Sequence, residues 1–501
     1  MRRFALAACA LLLGATAAQA QGTLNIGLRE DPDLLDPTLG SSYVGRIVYA
    51  AMCDKLFDLD EHLNVVPQLA QRWEYEDPTH LRIHLRPNVS FHDGEPLNAE
   101  AVRYSLNRHM TLSGSMRVGE LNSIQSVEVV DPLTVRLVLK APSAPLLSLL
   151  TDRGGIIISP KAGEALGRDF GTRPVCAGPY QFDSRVAQDR ITLRRFPGHW
   201  DAANYHFDQV VYRPLPNSSV RAANLQAGTL DIVEQIVPND IPAIRGDSRL
   251  RLAVGDGLSY TGINFNVNNG PAANTSIGQN RLVRQAFELT VDRTALIQVV
   301  FDGLFTPTIQ ANPPSSSMYM PELQPPERNI ARARELLRQA GVPLPVPVTI
   351  TTSNSPEVQQ AAEVIQSMAA EAGFDVKVRV MEFASSLQAG YSGDFQAYMI
   401  GWSGRADADG NMWQQLHSRG TFNYGRWNNP AADAALDEAR IPTDPAERRR
   451  IYARVWEQER QDLPLMYLWT VKNIVGLKRS LDGFVQVPDG LIRLRGLRMT
   501  R

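Results

Sequence analysis

Three cysteines in 501 residues leave little room for thiol chemistry. Cys9 lies within an apolar leader, so a processed chain keeps only Cys53 and Cys176. Histidine is scarce too, with eight residues, and no Cys/His group has metal-ligand spacing. There is no HExxH, GxSxG or Walker A stretch, which removes the zinc-peptidase, nucleophile-elbow and P-loop classes and implies neither a metal nor a cofactor. No Lys/Arg run and no excess of positive charge point to a nucleic-acid partner. Past the leader no apolar run reaches the ~20 residues that a membrane-spanning helix needs.

What is present begins with MRRFALAACALLLGATAAQA: Arg2 and Arg3, an apolar core, then Ala18-Gln19-Ala20. That is the grammar of a secretory signal peptide over residues 1–20, cut after Ala20. Leu6–Cys9 resembles a lipoprotein box, but the apolar run continues past Cys9, so cleavage after Ala20 is expected. Arg2 and Arg3 leave with the leader, so the mature chain carries 49 basic and 53 acidic residues, a net charge of −4. The expectation is an exported, soluble protein, periplasmic and monomeric. About 480 residues exceed what one core usually serves, so two or three folding units are expected. In an oxidising compartment Cys53 and Cys176 read as a disulfide, with two buried thiols as the alternative.

TLNIGLRE and THLRIHLRPNV alternate apolar and polar residues, as half-buried strands do. YVGRIVYAAM reads as a helix, and a second helix follows Asn98 as its cap. SVEVVDPLTVRLVL is a pair of strands around Asp131-Pro132. Beyond residue 205 the pattern becomes α/β. DQVVYRPL, SSVRAANLQAG and LDIVEQI make one βαβ unit. VPVTITT, the helix from Pro356 to Gly373, and FDVKVRVMEF make another, and such crossovers build parallel sheet. Asp444, Pro445 and Glu447 mark the start of a late helix.

FQAYMIGW, without charge, fits a strand buried on both faces, and GWSGRADADGN follows it. Ligands of open α/β sheets bind beyond the carboxyl ends of the strands. Trp402 offers a flat apolar face there and Arg405 a bidentate fork for an anion. Gly401 and Gly404 permit close backbone approach. The competing reading makes Trp402 core and pairs Arg405 with Asp407 or Asp409. From these residues alone the two stand even.

The stretch LAQRWEYEDPTHLRIHLRPNVSFHDGEPLNAEAVRYSL (69–106) resembles the signature of the family 5 solute-binding proteins of bacterial ABC importers. The likeness continues in PVCAGPYQF (174–182), VRQAFELTVDRTALIQVVFDGL (283–304), GWSGRADADGNMW, NYGRWNNPAADAALDEA (423–439) and LPLMYLW (463–469). It implies an α/β, two-lobed clamshell with an additional α+β subdomain. Lobe I would span 21–262 and 470–501, with the subdomain at 51–177; lobe II would span 263–469. The crossings would fall near Thr261–Asn266 and Trp469–Lys472. The resemblance further implies that the protein captures a small molecule or short peptide by closure and delivers it to an ABC permease in the inner membrane. Peptide-binding members commonly place an Asp just after the GWxG stretch, where it pairs with the peptide's amino terminus. Here Arg405 stands in that place, which favours a small peptide or peptide-like acidic solute, glutathione-like or opine-like. Cys176, where many relatives have Gly, supports the disulfide.

Further candidate contacts are Arg153, against a pair with Asp152; Tyr43, against packing of a helix start; and Asn264 and Asn266, against hinge structure. Asp407 and Asp409 are candidates to hold an amine. Trp413, Phe422 and Tyr424 are candidate walls, against plain core. His417, read as an exposed lone histidine, is the one group near the site that suits the alternative of a metal-chelate ligand. A secreted hydrolase with an unsigned carboxylate pair, and a ligand-sensing or chaperone-like binding module, are the alternative classes; an enzyme is not expected.

Overall fold

The computed structural model describes residues 22–500. The signal-peptide and lipoprotein-box readings therefore lie outside the described residues. A mixed sheet of eleven strands runs through the whole molecule. In order across it lie Phe374–Met381, Val346–Ser353, Ala397–Trp402, Leu250–Phe265, Leu465–Lys478, Ile232–Val233, Thr23–Leu28, Gln209–Pro214, Arg190–Arg195 and Tyr180–Val186. The short strand Thr306–Pro307 pairs at the side with Leu465–Lys478.

Both expected crossover units form. Thr23–Leu28 is parallel to Gln209–Pro214 on one side and to Ile232–Val233 on the other, with the helix Ser218–Gln226 between those two in sequence. Val346–Ser353 and Phe374–Met381 pair in parallel around the helix Pro356–Ala370. Ala397–Trp402 is parallel to Val346–Ser353 and antiparallel to Leu250–Phe265, so it is a fully paired interior strand. That explains its run of uncharged residues.

Two long antiparallel strands, Leu250–Phe265 and Leu465–Lys478, tie the halves together. Residues 250–256 pair with 472–478 on one half, and 260–264 pair with 465–470 on the other, with the register slipping between Asp256 and Tyr260. A second shift falls between Thr261 and Gly262, within the expected stretch 261–266, where Tyr260–Phe265 also pairs with Ala397–Trp402.

The segment after Cys53 builds its own four-stranded antiparallel sheet, and the expected pair around Asp131-Pro132 is there as Ile124–Asp131 and Thr134–Leu139. Leu56, Ile83, Leu106, Leu137 and Ile157 belong to a core separate from those of the large sheet. Cys53, which ends the helix Tyr43–Met52, is bonded to Cys176. The bridge ties this subdomain's entry to its exit. The late helix runs Pro445–Asp462, with the Asp444 carboxylate accepting from Glu447 N at 3.0 Å. Among the described residues no helix is long and apolar enough to cross a membrane.

Candidate functional site

Between the halves lies a cleft of about 170 Å³. Ser259, Tyr260, Thr261 and Val471 of the connecting strands form part of its wall. One half contributes Arg29, Glu30, Ser41, Ser42 and Tyr43. The other contributes Ser353, Ser355 and Phe383, the strand end Tyr398–Ser403, and Phe422 and Tyr424. The cleft is therefore aromatic and hydroxyl-rich, with one guanidinium and one carboxylate. It is smaller than the 300–1,000 Å³ usual for drug-sized ligands. A larger groove of about 920 Å³ lies on the subdomain between Ala99–Thr111 and Pro160–Leu166. It is an open surface trough whose charges include the internal pairs Lys161–Glu95 and Arg103–Glu100, so the interlobe cleft is the better candidate.

Backbone chemistry presents the first wall. Asp33 accepts from Ser41 N at 2.7 Å, Ser41 Oγ at 2.6 Å and Ser42 N at 3.1 Å, which folds the 33–42 loop back onto itself. Ser42 caps the helix that Tyr43 starts. Tyr43 then does both things expected of it. It packs at the helix start, where its hydroxyl donates to the Gly490 carbonyl at 2.6 Å, and it lines the cleft. The Arg29 guanidinium lies 5.0 Å from its ring centre and pairs with Glu234. Burial works against the Arg29 charge, but Glu234 more than offsets it and holds the pKa above its ordinary value.

The second wall ends the strand Ala397–Trp402. Trp402 lines the cleft, packs on Phe422 at 4.9 Å and donates from its indole N–H to Asn411 Oδ1 at 3.1 Å. Gly404 has φ +73°, and a Cβ there would sit 2.2 Å from the Leu258 carbonyl oxygen. Only glycine fits. Gly401 is different: the nearest atom to an added Cβ is 3.6 Å away.

Arg405 does not itself line the cleft. Its Nε lies 2.7 Å from Asp152 Oδ2, across the interface between the lobes, and its guanidinium stacks 4.6 Å from the Trp402 ring. Arg46 donates from Nε to Asp152 Oδ1 at 3.0 Å and from Nη1 to Ser403 Oγ at 3.2 Å. Burial alone would raise the Asp152 pKa, but Arg405, Arg46, Arg153 and Arg117 together hold it well below the carboxylate range. Burial pushes Arg405 down, against the attraction of Asp152. Neither Asp407 nor Asp409 is the partner of Arg405: Asp407 takes both ends of Arg448 at 2.7 Å, and Asp409 takes Arg440 at 2.6 and 2.9 Å. Their carboxylates are used up outside the cleft.

The remaining candidates also find structural work. Arg153 is buried and donates to the carbonyls of Gly40 at 3.1 Å and Ser42 at 3.4 Å, bracing the loop behind the first wall; its contact with Asp152 is only 3.9 Å. Asn264 lies within its strand, opposite Tyr398 and Leu465. Asn266 donates to the carbonyls of Asn269, Gly393 and Phe395 at 2.9–3.0 Å and accepts from Asn269 N at 2.8 Å. Trp413 is core: its N–H donates to Asp437 at 2.8 Å, and it packs close to Gly119 of the subdomain. His417 is not exposed; it is buried, stacked on Trp413 at 4.3 Å, with Asp433 and Asp437 beside its ring. The strand-end rule that pointed to GWSGR also holds for Thr23–Leu28, whose carboxyl end delivers Arg29 and Glu30. Applied to that strand, it would have found them.

A hinged pair of α/β lobes around a cleft built on strand ends is the architecture of a solute-binding protein. Residues 64–423 match the family described as "Bacterial extracellular solute-binding proteins, family 5 Middle". The chain belongs to that family. It is 28% identical over 480 residues to the glutathione-binding protein GsiB of Pectobacterium atrosepticum, covering 93% of this chain and 92% of that one. Among solved structures it resembles the PBP AgaA in complex with agropinic acid from A. tumefacien R10, at 26% identity and TM-score 0.87, covering 96% and 99% of the two chains. The fold is also that of the ABC transporter-associated periplasmic binding protein DppA from Helicobacter pylori in complex with peptide STSA. There the TM-score is 0.87 at 24% identity, covering 97% of this chain and 99% of that one.

Proposed function

We propose that this protein is the periplasmic substrate-binding subunit of an ABC importer, capturing a small peptide or peptide-like acidic solute by lobe closure and passing it to an inner-membrane permease. The observation that carries this reading is the cleft itself, whose walls come from both lobes and whose floor is the pair of connecting strands. A ligand that touches both walls favours the closed form by its differential affinity for it. The register slip between Asp256 and Tyr260, opposite Thr470–Lys472, supports a hinge there.

Within the cleft the proposed contacts are Trp402, Tyr43 and Tyr424 as walls and Arg29 as the cation for a ligand carboxylate. Arg405 is proposed as part of a clasp between the lobes, since it is buried against Asp152 and does not line the cleft, whereas the Arg29 side chain, though paired with Glu234, lines the cleft and stays 36% exposed. Relatives that bind glutathione or agropinic acid by their names support an acidic, peptide-like solute. The test is calorimetry on protein stripped by unfolding and refolding, titrated with reduced glutathione, agropinic acid, Met-Leu and the small-molecule extract of the protein as first purified. Saturable binding of at least one supports the reading. No binding by any of them, with the refolded chain intact, overturns it.

A further inference from the structure

We propose that Glu30 is the group that recognises a protonated amine on the solute, so that the cleft takes zwitterions. This deepens the peptide-like reading above and rests on it. Three observations lead there. Glu30 lines the cleft, partly buried, yet among the described residues its carboxylate has no hydrogen-bond or ion-pair partner. Its neighbour Arg29, which could have neutralised it, is instead committed to Glu234 through its backbone N–H at 3.0 Å and through its side chain. The carboxylate candidates of the opposite lobe, Asp407 and Asp409, lie outside the cleft and are locked to Arg448 and Arg440.

Among the described residues Glu30 is thus the carboxylate that lines the cleft, and no cation is bonded to it. The charges that act on it are Arg29 and Arg221, which favour its ionised form, and Glu234 and Asp33, which oppose it. Burial outweighs the two cations and pushes the carboxyl up to about 8. A group in that state gains most from a cation delivered by the ligand, because a close ammonium replaces the lost water and restores the ionised form. Arg29 and Glu30 are consecutive, so a cation and an anion stand side by side at the carboxyl end of one strand. An α-amino acid or peptide terminus presents the complementary pair.

The experiment uses the whole protein, the solute extract released by unfolding it, and the pair reduced glutathione and its N-acetyl derivative. Each is titrated into wild type, Glu30→Gln and Glu30→Asp, and the extract is titrated before and after acetylation of its amines. Acetylation should weaken binding to wild type by at least about tenfold, and to Glu30→Asp likewise, while Glu30→Gln should bind both forms alike. Equal binding of free and acetylated forms by wild type overturns the proposal and leaves the solute-binding reading standing. So does the same discrimination in Glu30→Gln. Failure of the extract and of every defined probe to bind wild type sinks both.

Discussion

Asp152→Asn is the substitution that asks whether the two lobes are held by charge. Asp152 faces Arg405 of the opposite lobe at 2.7 Å and Arg46 of its own lobe at 3.0 Å, and it is 5% exposed. Removing one member of such a buried pair strands the other charge, at a cost of about 3–5 kcal/mol. Unfolding is not the only escape. Arg405 can regain water if the lobes part, so the cost falls mainly on the closed form relative to the open one. Taking the lower figure, about 3 kcal/mol, a ligand that requires closure loses about a hundredfold in affinity. Calorimetry with the solute carried by the purified protein reads that loss. Small-angle scattering of the stripped variant should show a larger radius of gyration than stripped wild type. Asp152→Asn combined with Arg405→Gln removes the charge stranded on the opposite lobe and should recover the part of the affinity that Arg405 accounts for, while Arg46 still lacks its carboxylate in both variants. If Asp152→Asn binds within twofold of wild type and scatters identically, the clasp does not hold the lobes.

Other consequences follow from single positions. Gly404→Ala, with φ +73° and a Cβ 2.2 Å from a carbonyl oxygen, should destabilise by at least about 1–3 kcal/mol in thermal unfolding, whereas Gly401→Ala should melt near wild type. Replacing Cys53 and Cys176 by Ala opens a loop with a sequence separation of 123 and should cost about 4–5 kcal/mol on the chain-entropy model; an unchanged denaturant midpoint contradicts it. Glu459 is fully buried with neither carboxylate oxygen hydrogen-bonded, and burial pushes it up to about 8 from 4.5. Below 4.5 both folded and unfolded chains keep that proton; as pH rises toward 8 the unfolded chain loses it first, so stability drains away across that window. Glu459→Gln should therefore match wild type at pH 4.5 and exceed it at pH 7.5 by up to ~4 kcal/mol in urea unfolding; equal stability at both pH values sinks the argument.

Much of the scaffold was legible because local signals agreed with the global fold. The capped helix from Pro445, the two crossover units and the disulfide are each written in a few neighbouring residues. Trp402 was legible as well, because a charge-free strand ending in Gly-Trp carries its own positional rule. Arg405 was legible as an important cation, but not its partner, since Asp152 is some 250 residues away and only the fold brings them together. Trp413 and Asn266 stayed open between ligand contact and structure because an aromatic or an amide reads the same in sequence whether it faces a cleft or satisfies buried carbonyls. Arg29 and Glu30 went unseen for a simpler reason. The end of the first strand, Leu28-Arg29-Glu30, carries no aromatic of its own, and only the sheet order brings it to the same cleft as Gly401 and Trp402.

The proposed solute sits between the lobes, against Trp402 and Tyr424 on one side and Arg29, Glu30 and Tyr43 on the other. A crystal structure of the protein grown with its own co-purified solute tests this most directly. Electron density for one small molecule is expected in that cleft, with a carboxylate toward Arg29 and an amine toward Glu30. An empty cleft with the solute bound elsewhere, or a solute held by one lobe alone, would contradict it.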